Sequence, residues 1–463
     1  MLNIYFYILF FVKITYNCSL KRLFMKFIPK KSSFPFLIML FIVILAFFNP
    51  SMPDNSTSYV YNAADIAWML TSSALVLIMT PGLAYFYGGM VKKKNVISTM
   101  LQSFICMAVV GLLWLVFGFS LVFGDSLAGW IGDPRTFFMF NGVLDHAPWA
   151  GAPTIPFSLF AMYQLKFAII TPALMTGAFA ERIRFTSYLL FIVLFFIFIY
   201  APLAHATWHP EGVLFKMGVL DFAGGTVVHM SAGLTALASA LYLKQGKQFK
   251  EHVPARITYV LLGTGMLWFG WFGFNAGSAF SASALAAIAM ANTTAASSAA
   301  ALMYIFFEAL RGKKPSAMGT CIGVVVGLVA ITPAAGYVSV SHAIVIGAVA
   351  ALVSCLLIEW RTKSNLDDTL DVFPSHGVGG MVGMLLTGVF ANSAINTAVE
   401  SNGLYFGASN LFVAHLIGLV AATVFILLMA FVLLKLTDLI APLRVSDKAE
   451  ELGLDLSQHG ERL

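Results

Sequence analysis

The chain has 463 residues, of which 59% are hydrophobic and only 10% charged, against about 25% charged in soluble globular domains. With a mean hydropathy of +0.87, this excludes a soluble enzyme, a disordered protein and a nucleic-acid binder, which need a charged surface, low hydrophobicity or a basic face. The net charge of +6 comes entirely from Lys13, Lys21, Arg22, Lys26, Lys30 and Lys31, since residues 1–50 contain no acid; beyond them 21 basic residues face 21 acidic ones.

Residues 1–58 read as a targeting region. Lys26, Lys30 and Lys31 precede the apolar run Phe34–Phe48, the charged and hydrophobic regions of a signal peptide over 25–50. Met25 is a second candidate start, which would leave residues 1–24 as upstream translation. No clean A-x-A cleavage pattern follows, and the alternative reading is an uncleaved extra helix.

From residue 59 the pattern changes to long apolar runs near 62–90, 97–123, 157–180, 186–206, 222–243, 256–278, 283–310, 316–334, 341–360, 376–395 and 407–438. Each is long enough for a helix to cross the roughly 30 Å hydrocarbon core of a bilayer. The expected fold is an all-α integral membrane protein with eleven transmembrane helices over 59–440 and a cytoplasmic tail over 441–463. Glycines such as Gly263, Gly270 and Gly273 interrupt the runs, as expected where helix backbones approach closely in a membrane. Basic residues follow the odd-numbered spans (Lys92, Lys93 and Lys94; Arg182 and Arg184; Lys244, Lys247, Lys250 and Arg256; Arg311, Lys313 and Lys314; Arg361 and Lys363; the tail), leaving Arg135, Lys166 and Lys216 on the other side. Positive loops stay inside, so the first span starts outside and the C-terminus is cytoplasmic.

Cys18, Cys106, Cys321 and Cys355 form no CxxC pair, so neither a disulfide framework nor a zinc site is expected. Two segments resemble each other: Asp221-Phe-Ala-Gly-Gly-Thr-Val-Val-His229-Met-Ser-Ala-Gly233, and Asp371-Val-Phe-Pro-Ser-His376-Gly-Val-Gly-Gly-Met-Val-Gly383. Each has an aspartate, a histidine and then glycines at the start of an apolar run. They open the fifth and tenth spans, which predicts two five-helix repeats plus a final helix. An odd number of spans inverts the second repeat, and inverted repeats place a substrate path at their interface. Of nine histidines, His229 and His376 sit within apolar runs at matching places, where ionisable groups are rare and usually functional. Neither has a carboxylate three or four residues away, which argues against a zinc hydrolase; Asp221, at a helix start, is placed to cap free backbone N–H groups.

These residues, with Ala180-Glu-Arg-Ile-Arg-Phe185, Trp271-Phe-Gly-Phe-Asn-Ala-Gly-Ser278, Ile331-Thr-Pro-Ala-Ala-Gly-Tyr337 and the tail from Leu443 to Glu461, resemble the ammonium transporter (Amt/MEP/Rh) family, in its bacterial Amt branch, over about residues 60–463. The resemblance implies a homotrimeric transporter, not an enzyme, in the bacterial inner membrane, with one pore per subunit and no cofactor. It implies a pore histidine pair at His229 and His376, stacked outer phenyl rings at Phe167 and Phe274, and ammonium recruitment at Trp208 and Ser278. Asp221 and Asp371 are expected to give structural or deprotonation support.

Potassium and ammonium are cations of nearly equal size, but only ammonium can lose a proton. The expected mechanism recruits ammonium outside, deprotonates it near the rings, passes ammonia through an apolar pore and moves the proton separately along His229 and His376. Methylammonium is the expected analogue. Two departures from the family stand near the entrance: Lys166 beside Phe167, and His209-Pro210 after Trp208. The tail resembles that of relatives controlled by the soluble PII protein. The alternatives are a passive channel for ammonia, carbon dioxide or urea, and an ammonium sensor acting through PII.

Overall fold

The computed structural model describes residues 34–53, 59–246 and 253–463. Cys18, the basic residues of the targeting region, Lys247, Lys250 and His252 lie outside the described residues. Phe34–Phe48 is a helix, α1, in a unit of its own with no buried side chain. Its fifteen residues span roughly 22 Å at ~1.5 Å per residue.

In the second unit, Pro53–Leu463, the apolar runs become helices: α2 (Ala63–Met90), α3 (Lys93–Phe123), α4 (Phe157–Ala178), α5 (185–208), α6 (Gly225–Leu243), α7 (Ile257–Ala279), α8 (Ala284–Leu310), α9 (Ala317–Ile331), α10 (Val340–Lys363), α11 (373–390) and α12 (Asn410–Ile440). Among the described residues nine helical windows are long and apolar enough to cross a membrane; α9, at fifteen residues, and α11 fall outside that set. The chain is a multi-pass membrane protein. Its one described sheet is a two-residue hairpin after α3, pairing Ser126–Leu127 with Ile131–Gly132.

Among the described residues four of these helices contain a π-helical turn, Trp114–Gly118 in α3, Phe196–Tyr200 in α5, Gly225–Met230 at the start of α6 and Phe373–Val378 at the start of α11, and a fifth, Asp455–His459, lies in the tail. Such turns are rare and cluster at functional sites. Those opening α6 and α11 carry His229 and His376.

Small residues set helix spacing, as the glycine-rich runs predict. Gly263 of α7 lies against Gly82 and Phe86 of α2, and a Cβ there would stand 2.6 Å from the Gly82 carbonyl oxygen.

The basic loops gather at one end. Arg182, 1% exposed, pairs with Asp367 at 3.3 Å and donates to the Thr369 hydroxyl and to the Ala178 and Asp367 carbonyls. A buried ion pair of this kind holds only with such additional hydrogen bonds. Lys92, Lys94, Arg182, Arg361, Lys363 and Glu450 share a cavity of about 460 Å3 at this end.

The tail docks onto the same end. Arg184 N–H donates to the Leu443 carbonyl and Val445 N–H to the Arg182 carbonyl. The Asp455 carboxylate accepts Ser98 N–H at 2.8 Å, the Asn95 side chain accepts Leu454 N–H, and Lys94 Nζ reaches the Glu451 carbonyl. Asp455 thus caps the first turn of α3, where free N–H groups need acceptors.

Gly263→Ala is expected to destabilise the protein by about 1–3 kcal/mol, the usual cost of overpacking. A thermal melt in detergent that leaves the midpoint unchanged would show that α2 and α7 separate freely.

A buried histidine pair behind stacked phenyl rings

His229 and His376 are 1% and 2% exposed. Their Nδ1 atoms lie 3.4 Å apart, with ring centroids at 5.4 Å and planes 31° apart. A neutral imidazole carries one N–H and one bare nitrogen. One Nδ1 therefore donates and the other accepts, and the pair presents one Nε2–H and one unprotonated Nε2.

The backbone brings the rings together. Gly233, one turn after His229, packs directly on the backbone of His376 and Gly377, where a Cβ would lie 2.8 Å from the His376 carbonyl carbon. Gly380, one turn after His376, packs on Gly225 and Met230 in turn, its Cβ position 2.9 Å from the Gly225 carbonyl oxygen. The two motifs thus interlock reciprocally, each glycine admitting the other's π-turn.

Each π-turn starts on a carboxylate. Asp221 Oδ1 accepts N–H bonds from Gly224 and Gly225, and Oδ2 from Thr226 and Val227. Both oxygens are committed to the backbone, the geometry of a cap. The Asp221 carbonyl also accepts Trp208 Nε1–H at 3.1 Å.

In the second motif the sequence pairs Asp371 with Asp221, but the structure gives the matching place to Asp368. Asp368 stands eight residues before its histidine, as Asp221 does, and its Oδ2 accepts Phe373 N–H at 2.7 Å. Asp371 has φ 56° and forms an ion pair with Arg361. The identity in spacing was present in the sequence, but Pro374 and the consecutive acids Asp367 and Asp368 obscured it.

Above the histidines the rings form a continuous stack. Trp271 lies against His229 at 5.2 Å and 18°, with its Nε1–H donated to the Thr332 hydroxyl. Phe274 follows at 6.0 Å from His229, Phe167 stacks on Phe274 at 4.1 Å and 27°, and Trp208 meets Phe167 edge-on at 6.0 Å. Phe167 and Phe274 are 1% and 0% exposed.

Beyond them opens a chamber of about 730 Å3, lined among others by Phe167, Trp208 and Ser278. The Ser278 hydroxyl donates to the Phe274 carbonyl at 2.8 Å, so its lone pairs remain available as acceptors. Tyr163, four residues before Phe167 on α4, has its hydroxyl 2.9 Å from the Gly273 and Phe274 carbonyls and 3.3 Å from Ser278 Oγ. Nothing local in the sequence marks Tyr163 beyond its helical spacing from Phe167, and Trp271 stands out there only as part of a longer motif.

The two departures at the entrance are also placed. α4 presents Phe160, Gln164 and Phe167 to the chamber, while half-buried Lys166 lies off that face. His209 stacks on His205 at 4.4 Å and 15°, and its Nδ1 accepts Glu211 N–H. His205 itself is fixed by the Val122 carbonyl and the Ser126 hydroxyl. His415 is held between the Met384 carbonyl and Leu220 N–H.

Asp368 lies in the loop between α10 and α11, wholly buried, with Oδ1 unpaired. Burial, and then the neighbouring Asp371 carboxylate, push its carboxyl up to about 7. Between the ordinary carboxyl value and about 7 the folded state binds more protons than the unfolded, so this group's contribution to stability falls as pH rises through that window and levels off above it. Asp368→Asn should retain less of the loss in thermal midpoint between pH 5 and pH 8 than the unmodified protein; equal pH slopes would remove Asp368 as the titrating group.

Residues 67–462 match the model of the Ammonium Transporter Family. A putative ammonium transporter of Methanothermobacter thermautotrophicus is 44% identical over 403 residues, covering 86% of this chain and 98% of the relative. The ammonium transporter of Bacillus subtilis is 42% identical over 405 residues, with the same coverage. The crystal structure of Candida albicans Mep2 matches with a TM-score of 0.80 at 34% identity, covering 87% of this chain and 90% of that one. A structure described as a sensor Amt protein matches with a TM-score of 0.77 at 26% identity, covering 86% and 98%. The matched range 67–462 contains both histidine motifs and the rings of the stack, and the chain belongs to the ammonium transporter family.

Proposed function

We propose that this protein imports ammonium by separating it into ammonia and a proton. Ammonium is recruited in the chamber by the Trp208 face and the Ser278 hydroxyl, and loses its proton near the Phe167–Phe274 pair. Ammonia then passes the histidines, while the proton moves separately along His229 and His376.

The observation that carries this reading is the closed phenyl stack directly above a buried imidazole pair. Moving an unpaired ion out of water into such surroundings is prohibitive, whereas a neutral molecule with one lone pair and three N–H groups loses far less. The Nε2–H and bare Nε2 of the pair offer a donor and an acceptor to ammonia. Potassium has no neutral form and is refused at the same step.

The same reading includes eleven spans in two inverted five-helix repeats plus α12, supported by the reciprocal packing of the two histidine motifs. It includes a homotrimer with one pore per subunit in the plasma membrane, with the basic loops and the docked tail on the cytoplasmic side. Phe34–Phe48 then belongs to a cleaved signal peptide, which the mass of the mature protein tests. The tail and the cavity beside it form the surface offered to a PII partner. Capture of PII by the full chain, and not by a chain ending at Arg444, is the expected result; equal capture by both removes the tail from that role.

Reconstituted protein on a supported membrane should give currents with ammonium and methylammonium and none with potassium. Replacing both His229 and His376 by leucine should reduce the ammonium current at least tenfold. A full current in that variant would take the histidines out of the proton path. Ammonia flux without any current in the unmodified protein would instead favour the passive channel.

A further inference from the structure

His209-Pro210-Glu211-Gly212 forms the turn that follows Trp208 at the end of α5, and Trp208 and Pro210 both line the chamber. The turn is tight. His209 N–H donates to the His205 carbonyl, and the His209 carbonyl accepts Gly212 N–H at 2.8 Å. Gly212 presses on the His205 and Ala206 carbonyls, where a Cβ has no room. Val213 N–H then donates to the Gly129 carbonyl at 3.1 Å, which ties the turn to the hairpin after α3.

The His209 ring is part of this turn. Its Nδ1 accepts Glu211 N–H at 3.1 Å, and its face stacks on His205 at 4.4 Å and 15°. Trp149, another lining residue of the chamber, meets the His209 ring at 5.5 Å and 59°. One half-buried imidazole therefore joins three residues of the chamber wall: Trp208 and Pro210 through the chain, and Trp149 through ring contact.

The hydrogen bonds fix where the protons sit. His205 Nδ1 faces the Val122 carbonyl at 2.8 Å, so that nitrogen carries the hydrogen. His205 Nε2 is then bare and accepts the Ser126 hydroxyl, whose oxygen accepts Gly129 N–H. His205 is complete as a neutral ring. His209 is neutral in the opposite tautomer, with Nδ1 bare and the hydrogen on Nε2. A proton arriving at His209 Nδ1 sets two donors against each other across 3.1 Å. That bond is lost, and either the ring or the turn moves, taking Pro210 or the Trp149 contact with it.

An imidazole changes charge between about pH 5 and 8. The charged groups around His209 are Glu211 in the turn, Asp125 at the hairpin and Lys216 beyond the turn, all exposed. The last turn of α5 presents His205, and the loop before α4 presents the Trp149 ring. Two acids against one lysine accommodate a single added cation. The stack does not accommodate a second, because like charges at that distance oppose each other. His209 thus charges alone.

We propose that His209 is a positioning residue that holds the chamber wall in place when neutral and releases it on protonation, so that acid outside weakens the recruitment of ammonium. This rests on reading the chamber as the cation entrance. The imidazolium acts twice: it opens the turn behind Trp208 and Pro210, and it adds a positive charge beside the path of a cation.

Asparagine separates the two states of the ring. Its side-chain oxygen accepts the N–H two residues on, as His209 Nδ1 does, and it does not titrate. The measured quantity is the half-saturating ammonium concentration of the current from reconstituted protein, at outside pH 7.5 and 5.5. Ammonium stays protonated throughout this range, so the substrate itself is constant. In the unmodified protein half-saturation should rise at least fivefold at the lower pH. His209→Asn should stay within twofold of the unmodified pH 7.5 value at both. His209→Leu, which lacks the acceptor, should be raised at least threefold at both. A level half-saturation in the unmodified protein, or a rise that persists in His209→Asn, overturns the proposal; a leucine variant equal to the asparagine variant overturns the role of the Glu211 bond. Tryptophan emission of the full chain in detergent, without ammonium, gives a second reading, because the Trp149 ring touches His209. It should change between the two pH values in the unmodified protein and not in His209→Asn, and equal changes in both would also overturn the proposal. A change confined to the unmodified protein, in preparations that give no ammonium current, would sink the transport reading while leaving the titration of this turn standing.

Discussion

Two imidazoles 3.4 Å apart, nearly sealed from water, set the central constraint on this molecule. Side chains that hydrogen-bond each other in so dry a place are positioned chiefly by backbone, with Trp271 stacked on His229 as a ring support. The glycines one turn beyond each histidine meet that requirement. Gly233 admits the backbone around Gly377, Gly380 admits Gly225 and Met230, and any side chain at either place would drive the rings apart. The π-turns that carry the histidines widen the helix just where the two motifs interlock.

A π-turn opening a helix leaves free N–H groups in a region with little water, and the structure answers with carboxylates. Asp221 engages four of them, and Asp368 takes the corresponding place before Phe373. Carboxylates therefore appear here as parts of the backbone scaffold. The same solution recurs at the opposite end of the chain, where Asp455 caps α3 from the tail. The tail is in this sense part of the packing of the helices, and a partner that lifts it would uncover the start of α3 and the carbonyl of Arg182.

In the reading proposed above, the ring stack makes this centre a chemical filter. Trp208, Phe167, Phe274 and His229 follow one another at contact distances, with no interval in which an ion keeps its water. In the proposed mechanism selectivity then depends on acidity, which distinguishes ammonium from potassium where radius does not. Lys166 fits this picture because it lies off the chamber-facing stripe of α4; in the other departure His209 is held in a stack on His205 while Pro210 lines the chamber.

The sequence by itself determined the class of the molecule. Apolar runs of membrane length can be satisfied only by helices in lipid, and the balance of lysine and arginine assigns each loop to an end. The two histidine motifs, the glycines after them and the phenylalanine and tryptophan positions were legible because each carries a local pattern or a family likeness. Tertiary structure decided what locality does not encode. It joined Asp368 rather than Asp371 to the role of Asp221, because capping depends on where a carboxylate meets N–H groups and not on resemblance along the chain. It brought Tyr163 to Ser278, Trp271 to His229 and Gln164 to the chamber, because these meetings depend on how α4, α6 and α7 cross. It docked the tail on α3, a contact across more than 350 residues that only packing in three dimensions creates.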